Sequence, residues 1–586
     1  MATRLKPVDV VTVGVGLTGT ILAKELADAG LKVVGIERGG WRDTAPDFAM
    51  PGVHDELKYV RNKALMQDLS KETITFRNNA SETALPMRQL GSFLPGEGVG
   101  GAGVHWGGLT WRFLPWDFET KSRTLARYGA KQVSEECTMQ DWGVTYEELE
   151  PHFNRFEHLY GVSGKAGNLN GRIIPGGNPF EGARSHEYPN PPLKTAYSSA
   201  LFARAAQSMG YKPFPVPTSA NSRVYKNEYG ATINACVYCG YCQFFACEMG
   251  AKASPQTAVL PALMQNKNYE LRTLCNVTRI NLDSEKKRAV SVNYVDSRGR
   301  EFEQPADLIL LTSYVLNNTR LLLLSGIGKP YDPVANTGTV GRNYAYQTPS
   351  SVTLFFEDKN FNSFMGAGGL GLAIDEFNGD NFDHSGLGFI GGGFMQAGSN
   401  GARPIATHPV PSGTPRWGGE WKKAVAKYFN RSFSITVQGA CQSYRGNWLD
   451  LDPSYRDAYG LPLLRMTFDR RENETKMSEW LTNKAAEIAK AIGPSKMNVN
   501  PRRGKYTIVP YQSTQNTGGV VMGADPATSA VNKYLQSWDV HNLFVVGASA
   551  FPQNGGYNPT GTVGALTYQA LEAIKTQYLK KPGALV

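Results

Sequence analysis

The stretch Val8–Glu37, VDVVTVGVGLTGTILAKELADAGLKVVGIE, decides the fold of this chain. A β-branched run ends at a turn carrying Gly14, Gly16 and Gly19, and apolar residues then recur at helical spacing. This pattern predicts a strand, a tight turn and a helix. The glycines permit the turn, bring the backbone close to a pyrophosphate and let the helix pack on the strand. A second strand ends at Glu37, whose carboxylate can accept from ribose hydroxyls. We therefore predict dinucleotide binding, with either FAD or a nicotinamide cofactor as the ligand.

Composition and charge exclude several other classes of protein. The chain has 586 residues, of which 41% are hydrophobic and 19% charged, so we expect a folded protein of roughly two to four domain-sized units. The net charge of +10 is spread along the chain without the basic blocks of nucleic-acid-binding arms. We interpret it as a solvated surface, with some room for an acidic partner. No apolar run is long enough to span a membrane, and the N-terminus enters a strand rather than a signal peptide.

A second glycine-rich stretch, Gly96–Arg112, indicates a flat ligand. It reads GEGVGGAGVHWGGLTWR and contains seven glycines, one histidine and two tryptophans. A backbone this rich in glycine can lie close against an aromatic ring system. We expect Gly100, Gly101, His105 and Trp106 to contact an isoalloxazine. Without further context, His105 could equally be a histidine that only hydrogen-bonds backbone.

The C-terminal stretch predicts a third contact with the cofactor. A buried strand, Leu543–Val546, is followed by a loop that begins at Gly547 and Ala548 and contains GYNPTG. A helix then starts at Pro559 and Thr560, and its N-terminus presents unpaired amides to an anion such as a reduced flavin.

Four of the seven cysteines form a compact run. Cys236, Cys239, Cys242 and Cys247 lie in CVYCGYCQFFACEMGAKASP, whereas Cys137, Cys275 and Cys441 are isolated. Structural zinc usually takes its ligands as two separated pairs, whereas three cysteines at steps of three with a fourth nearby are typical of iron–sulfur ligation. We favour an iron–sulfur cluster over zinc or unligated thiols.

These motifs together resemble the glucose–methanol–choline (GMC) oxidoreductases, and the resemblance covers nearly the whole chain. It is carried by GVGLTG with Glu37, by GVGGAGVHWGG, by Thr319–Gly328 and Val340–Gln347, and by GYNPTGTVGALTYQA. Within the family, the chain is similar to the flavoprotein subunits of bacterial membrane-associated sugar and sugar-acid dehydrogenases. The resemblance implies hydride transfer from a secondary alcohol to FAD, with oxidation of gluconate to 2-ketogluconate favoured. Oxidation of 2-ketogluconate, or of the 3-hydroxyl of a glycoside, is the alternative.

The resemblance also assigns roles to single residues. It implies that FAD can be bonded covalently to His105, and that the cysteine run holds a three-iron, four-sulfide cluster. In the family, a histidine before a Gly-Gly pair and a histidine or asparagine in the C-terminal loop face the flavin. These positions fall at Gln515 and Asn558. A glutamine amide cannot accept a proton, although it can orient a hydroxyl. Gln515 therefore indicates a disabled variant, a branch that uses another base, or a loop residue far from the flavin.

An iron–sulfur cluster beside a flavin implies that electrons leave one at a time to another protein. The resemblance implies that a multihaem cytochrome c subunit receives them and that a small subunit carries the export signal. The enzyme would then lie at the periplasmic face of the cytoplasmic membrane and contact the membrane only through its partners. The alternative outside catalysis is an electron-transfer or assembly subunit that turns over no substrate.

The expected fold class is α/β, with a discontinuous Rossmann-like FAD domain and a substrate domain on an antiparallel sheet. We predict FAD-binding parts at 1–120, 231–334 and 506–586, the second with the cysteine run. Residues 335–505 would form the substrate domain, and 121–230 an irregular insertion suited to a subunit contact. Arginine binds carboxylates through two parallel hydrogen bonds. Candidates for holding a sugar acid are therefore Arg112, Arg342 and Arg445.

Overall fold

A parallel sheet joins the two ends of the chain to its middle. In the computed structural model, strand Val8–Val13 lies between Val33–Ile36 and Glu301–Leu311. Tyr269–Arg272 extends the sheet beyond Val33–Ile36, and Leu543–Val545 pairs with Glu301–Leu311 on the other side. All of these pairings are parallel, as the glycine motif predicted. The structure describes residues 2–43, 47–49, 67–88, 96–401, 408–508 and 515–585.

The same sheet continues as an antiparallel layer. The first half of Glu301–Leu311 pairs with Ala289–Val295, which pairs in turn with Asn276–Leu282, and Thr3–Arg4 adds a short edge strand. Helix Leu17–Asp28 and the C-terminal helix Thr560–Ala573 pack together beside the sheet. Their apolar residues join those of the strands in one large core.

A second, antiparallel sheet of six strands forms the other half of the molecule. Its spatial order is Lys496–Asn500, Thr348–Phe355, Ser432–Gly439, Gly393–Asn400, Gly366–Ile374 and Phe214–Pro215. The long helix Glu472–Ile492 packs on it through Met477, Leu481 and Ile488, together with helix Tyr197–Ser208. The antiparallel sheet predicted for the substrate side is confirmed.

Smaller elements complete the described fold. A four-stranded sheet contains Trp448–Arg456, Pro462–Thr467, Ile74–Arg77 and Leu85–Pro86. Two-residue strands pair as Asn168–Leu169 with Arg172–Ile173, Tyr225–Lys226 with Thr232–Ile233, and Ala345–Tyr346 with Asn516–Thr517. The remaining helices are Pro115–Phe118, Thr120–Tyr128, Tyr146–Tyr160, Pro255–Ala258, Leu260–Leu263, Val315–Ser325 and Gly419–Tyr428.

The segment 121–230 differs from the irregular insertion that we expected. It contains most of helix Thr120–Tyr128 and all of the helices Tyr146–Tyr160 and Tyr197–Ser208. The Thr145 hydroxyl caps the second helix by accepting from the Glu148 amide, and the Glu148 carboxylate accepts from the Thr145 amide. This capping box was present in the sequence, and Pro151 inside the helix obscured the helical pattern. The other domain boundaries stay predictions. No helix in the described ranges is long and apolar enough to cross a membrane.

Candidate cofactor cavity and active site

A large cavity opens at the carboxyl ends of the parallel strands, where ligands bind in open α/β sheets. Eight of the predicted cofactor-binding residues line it. These are Gly14, Gly16, Glu37, Gly101, Trp106, Gly547, Ala548 and Thr560. The cavity is therefore walled by the first glycine turn, the second glycine-rich stretch and the start of the C-terminal helix.

The glycines keep this cavity open because they have no side chain. Gly14 has φ +96°, and a Cβ there would lie 2.8 Å from the carbonyl oxygen of Thr312. Gly16 and Gly101 face each other, because a Cβ on Gly101 would lie 3.3 Å from the Gly16 Cα. Gly19 is not among the lining residues of the described cavity. A Cβ on Gly19 would lie 2.2 Å from the Gly14 carbonyl oxygen, so Gly19 permits the close packing of helix on strand.

Glu37 presents a buried carboxylate to the cavity. Its two oxygens accept hydrogen bonds from the amides of Val15, at 3.0 Å, and Gly39, at 2.9 Å. Burial raises the pKa of Glu37, and the two amides oppose that shift. Each carboxylate oxygen has a second lone pair, which can accept from a ribose hydroxyl. The glycines, this carboxylate and the helix N-terminus fit a dinucleotide such as FAD.

The glycine-rich stretch holds His105 and Gly100 just behind the cavity wall. The Gly100 amide donates to the Val15 carbonyl over 2.7 Å, which ties the two glycine motifs together. His105 is buried, and its Nε2 has no hydrogen-bond partner. Burial, aided by the positive charge of Lys252, lowers the pKa of His105 to about 4. The imidazole is therefore neutral near pH 7.

One wall of the cavity is formed by Thr312, Ser313 and Tyr314, which were not predicted from the sequence. Tyr314 has φ +81°, an unusual conformation for a residue other than glycine, and precedes helix Val315–Ser325. Its hydroxyl accepts from the side-chain amide of Asn516 over 2.5 Å, and the Tyr344 hydroxyl donates to the Asn516 carbonyl oxygen. A general rule could have found this wall, since these residues follow the carboxyl end of a parallel strand.

The segments that carry the two candidate catalytic residues lie side by side. The side-chain amide of Asn554 donates to the Gln515 carbonyl oxygen over 2.9 Å, and Asn516–Thr517 pairs with Ala345–Tyr346. Asn558 is buried, and its Oδ1 has no hydrogen-bond partner. The Gln347 side chain donates to the Tyr557 carbonyl over 2.6 Å. Each segment is thus held by a hydrogen bond close to its candidate residue.

Two buried acids brace the loop Gly555–Asn558, and neither was evident from the sequence. The Tyr557 ring stacks on Trp111 with 4.6 Å between centroids, and its hydroxyl donates to Asp375. Asn178 donates to the same carboxylate over 2.9 Å. Asp117 accepts from the Leu114 amide, and its Oδ1 would lie 2.9 Å from a Cβ on Gly555. Burial raises the pKa of Asp375 to about 6 and that of Asp117 to about 8.

The four clustered cysteines lie in one loop that abuts the antiparallel sheet. Cys239 bridges to Gly366, and the amides of Tyr238 and Lys252 donate to the sulfurs of Cys236 and Cys247, each over 3.4 Å. Burial raises the pKa of Cys236 to about 11 and that of Cys242 to about 12, with smaller contributions from neighbouring cysteines. Both thiols therefore stay protonated at neutral pH unless a metal binds them.

No three or more His, Cys, Asp or Glu side chains of the described residues form a group able to hold a metal ion. A single metal ion needs all its ligands about 2.3 Å from one point. A cluster binds each thiolate to a different iron, so its ligands are spread further apart. Amide donors to sulfur, as at Cys236 and Cys247, are one of the means by which proteins tune such clusters.

The three candidate arginines differ in their freedom to bind a substrate. Arg112 is wrong as a carboxylate partner, because its guanidinium already makes two hydrogen bonds to Glu157 and also contacts Asn154 and Glu150. Arg445 donates to the carbonyls of Pro333 and Val334. Arg342 is buried over the Tyr331 ring and makes no ion pair within the described chain. Arg342 therefore remains the candidate with an unused charge.

Comparisons of the sequence with known proteins also indicate a flavoenzyme. The sequence models of the GMC oxidoreductase family match residues 190–348 and 445–567. The gluconate 2-dehydrogenase flavoprotein of Pantoea cypripedii is 51% identical over 100% of this chain and 96% of its own length. The fructose dehydrogenase large subunit of Gluconobacter japonicus is 24% identical over 98% of this chain and 99% of its own length.

The fold itself also occurs in a solved structure of low sequence identity. Pyridoxine 4-oxidase from Mesorbium loti aligns with a TM-score of 0.57 at 16% identity, covering 97% of this chain and 99% of that one. The resemblance inferred from the sequence motifs is thus confirmed by independent comparisons. This chain belongs to the GMC oxidoreductase family of FAD-dependent enzymes.

Proposed function

We propose that this chain is the flavoprotein subunit of a dehydrogenase that oxidises gluconate to 2-ketogluconate. The observation that carries the proposal is 51% identity, over the whole chain, to a protein named for this activity. The cavity supports it, because the segments of Gln515 and Asn558 lie side by side and both adjoin its lining: the Asn516 side chain donates to the Tyr314 hydroxyl, and Asn558 precedes Pro559. Arg342 is the residue we propose for the sugar-acid carboxylate, since its guanidinium has no acidic partner in the described residues.

When bound, FAD accepts the hydride, and with it two electrons, from the carbinol carbon. The hydroxyl proton must leave in the same reaction, which requires an acceptor within hydrogen-bond reach of the oxygen. Asn558 has a buried Oδ1 without a partner, which can accept a hydrogen bond from that hydroxyl and orient it. Gln515 can also orient the hydroxyl, but its amide cannot take the proton. A histidine at position 515 would supply the missing acceptor.

The cysteine run, in this proposal, holds an iron–sulfur cluster, with three irons and four sulfides favoured. Its support is the spacing of Cys236, Cys239, Cys242 and Cys247 and their position in one loop. The cluster supplies one-electron transfer to a partner protein. We propose a multihaem cytochrome c subunit as that partner, with a small subunit carrying the export signal, at the periplasmic face of the membrane.

We also propose that the flavin is bonded covalently to His105. The imidazole is neutral, and its Nε2 has no hydrogen-bond partner among the described residues, so its lone pair would be available to bond the 8α-methyl carbon. That carbon would lose a proton, and the electron pair would pass to the isoalloxazine and on to the electron acceptor. Flavin that stays with the protein after denaturation and acid precipitation, and is released in His105→Ala, would support the bond. Flavin that is released from the unaltered protein would contradict it.

The experiment that tests the function is anaerobic bleaching of the flavin absorbance. Gluconate, 2-ketogluconate and a glucoside are each added to this chain, to Gln515→His and to a control, Gln265→His, at an exposed position. We expect gluconate to bleach Gln515→His about 10² to 10⁴ times faster than this chain, which is the range for a positioned base, and the control to match this chain. Faster bleaching by one of the other sugars would replace gluconate as the substrate. Fast bleaching of this chain itself would show that Gln515 does not occupy a vacant base position.

A further inference from the structure

Lys252 is a buried lysine whose ammonium is surrounded by backbone carbonyls. Its side chain is 2% exposed. The Nζ donates to the carbonyl oxygens of Trp106 over 2.7 Å, Cys242 over 2.8 Å and Phe245 over 2.8 Å. Three donated hydrogen bonds match the three N–H groups of a charged ammonium, whereas a neutral amine has only two. The site is thus built for a positive charge.

This charge has no carboxylate partner. Within the part of the chain that the structure describes, no Asp or Glu oxygen lies within ion-pair distance of the Lys252 Nζ. Burial lowers the pKa of Lys252, and the thiols of Cys242, Cys247 and Cys239 oppose that shift. A buried charge without an opposite charge is costly, even when its hydrogen bonds are satisfied. The uncompensated charge therefore points to negative charge on the neighbouring sulfurs.

Lys252 also connects the cysteine run with the flavin cavity. Trp106, one of its acceptors, lines the cavity, and Cys242, another, belongs to the cysteine run. The Lys252 backbone amide donates to the Cys247 sulfur over 3.4 Å. The same positive charge helps to keep His105 neutral. One side chain thus lies between the two candidate redox sites and contacts the backbone of both.

We propose that Lys252 is the internal counter-ion of the cluster bound by the cysteine run and that it raises the reduction potential of this cluster. The inference rests on the proposed function, because it requires that the run carry a cluster. Thiolates bound to iron are deprotonated. With a cluster bound, the cysteine run would therefore carry the negative charge that compensates Lys252, and the protein alone does not supply this charge. Lys252 is a positioning and electrostatic residue here and does not touch the substrate.

The direction of the effect follows from the charge balance of electron transfer. A cluster held by the cysteine run would take electrons from the flavin one at a time, and each electron would add one negative charge to it until the external acceptor removed it. A fixed ammonium stabilises the more negative, reduced form of the cluster, and little water is present to screen it. Lys252 therefore favours transfer from the flavin side to the cluster.

The test is a redox titration of the cluster followed by electron paramagnetic resonance in the flavin-loaded protein. Lys252→Met removes the charge and keeps the length of the side chain, and we expect the midpoint potential to fall. Lys194→Met is the matched control, because Lys194 is exposed and its Nζ lies 6.0 Å from the ring of Tyr238, inside the run. Solvent screens that charge, so the control is expected to keep the original potential. The flavin content of both variants is measured alongside the potential, because Lys252 also contacts the backbone of the cavity-lining Trp106.

A second measurement does not depend on the potential. Chelation of iron leaves Lys252 uncompensated in the original protein, so the drop in Tm on iron removal should be larger there than in Lys252→Met. If Lys252→Met does not accumulate with flavin, Lys252→Gln, which keeps hydrogen-bond donors without the charge, takes its place in both measurements.

The outcomes separate the two proposals. An unchanged cluster potential in the variant, with equal Tm drops, overturns the role of Lys252 and leaves the cluster in place. Protein that contains flavin but neither iron nor a cluster signal overturns the iron–sulfur part of the proposed function, and the role of Lys252 with it.

Discussion

The flavin cavity and the cysteine run lie on either side of Lys252, and they are built in opposite ways. The cavity is made mainly of backbone, with glycines at Gly14, Gly16 and Gly101 and a carboxylate already held by two amides. The run is made of side chains, and residues other than glycine adopt positive φ within it, at Tyr238 and Phe244. The shape of the cavity depends on positions without side chains. The thiols of the run, in contrast, become charged only when they bind a metal cluster.

The largest effect is expected when a side chain is added to a glycine that lines the flavin cavity. In Gly14→Ala, the new methyl group would lie 2.8 Å from the Thr312 carbonyl, at a φ of +96° that alanine disfavours. Such a substitution costs more than about 1 kcal/mol from the backbone alone, and the contact adds to it. We expect loss of bound flavin and a Tm lower by several degrees, measured by absorbance and calorimetry. Gly30→Ala is the control, because φ is +91° there but nothing lies within 4 Å of the Cβ. Equal losses of flavin in both variants would contradict the role of the contact.

The second prediction concerns whether the cysteine run binds its cluster independently of flavin binding in the cavity. Cys242→Ser replaces a buried thiol of the run, and we expect iron and sulfide to be lost while flavin is retained. Cys137→Ser, at an isolated cysteine, should keep both. Iron and flavin contents measured on the same samples decide the outcome. Loss of flavin in Cys242→Ser, with iron unchanged, would reverse the assignment of the two regions.

A smaller effect is expected where the substrate would lie. Asn558→Ala removes a buried carbonyl oxygen that has no partner among the described residues, so the fold loses little. The rate of flavin reduction should fall about 10²-fold, the scale for loss of one positioned polar group, with flavin and iron contents unchanged. Stopped-flow measurements compare this rate with that of Asn268→Ala, where the lost side-chain amide donates to the Ala27 carbonyl near the end of helix Leu17–Asp28. Equal rates in Asn558→Ala and the original protein would remove Asn558 from the active site.

The smallest effect concerns stability as a function of pH. Burial raises the pKa of Asp117 from 3.8 to about 8, so the folded protein holds a proton there that the unfolded chain has lost. Stability from this group is complete below about pH 4 and is lost as pH rises toward 8. In Asp117→Asn, Tm should therefore fall less between pH 5 and pH 8 than in the original protein. Parallel Tm curves for the two proteins would show that Asp117 does not titrate in this range.

The sequence predicted the backbone-built region far better than the side-chain networks. The strand Val8–Val13 and the glycine turn follow from local patterns, because glycine at positive φ and β-branched runs act over a few residues. The hydrogen bond of Tyr314 with Asn516 and the support of Tyr557 by Asp375 join distant segments, and no local pattern encodes such contacts. Arg112 shows the same limit, since its partner Glu157 lies in a helix that the sequence analysis did not detect.

The strand Glu301–Leu311 has a consequence for how the protein is made. Its second half pairs with Val8–Val13 on one side and with Leu543–Val545 on the other, so the first and last parts of the chain share one neighbour. Long-range pairings of this kind form slowly, because a large loop must close before any contact rewards it. On the ribosome, the N-terminal glycine turn emerges early but has no complete cavity until residue 545 and the helix after it have been synthesised. The complete flavin cavity can therefore form only after these late residues have been synthesised.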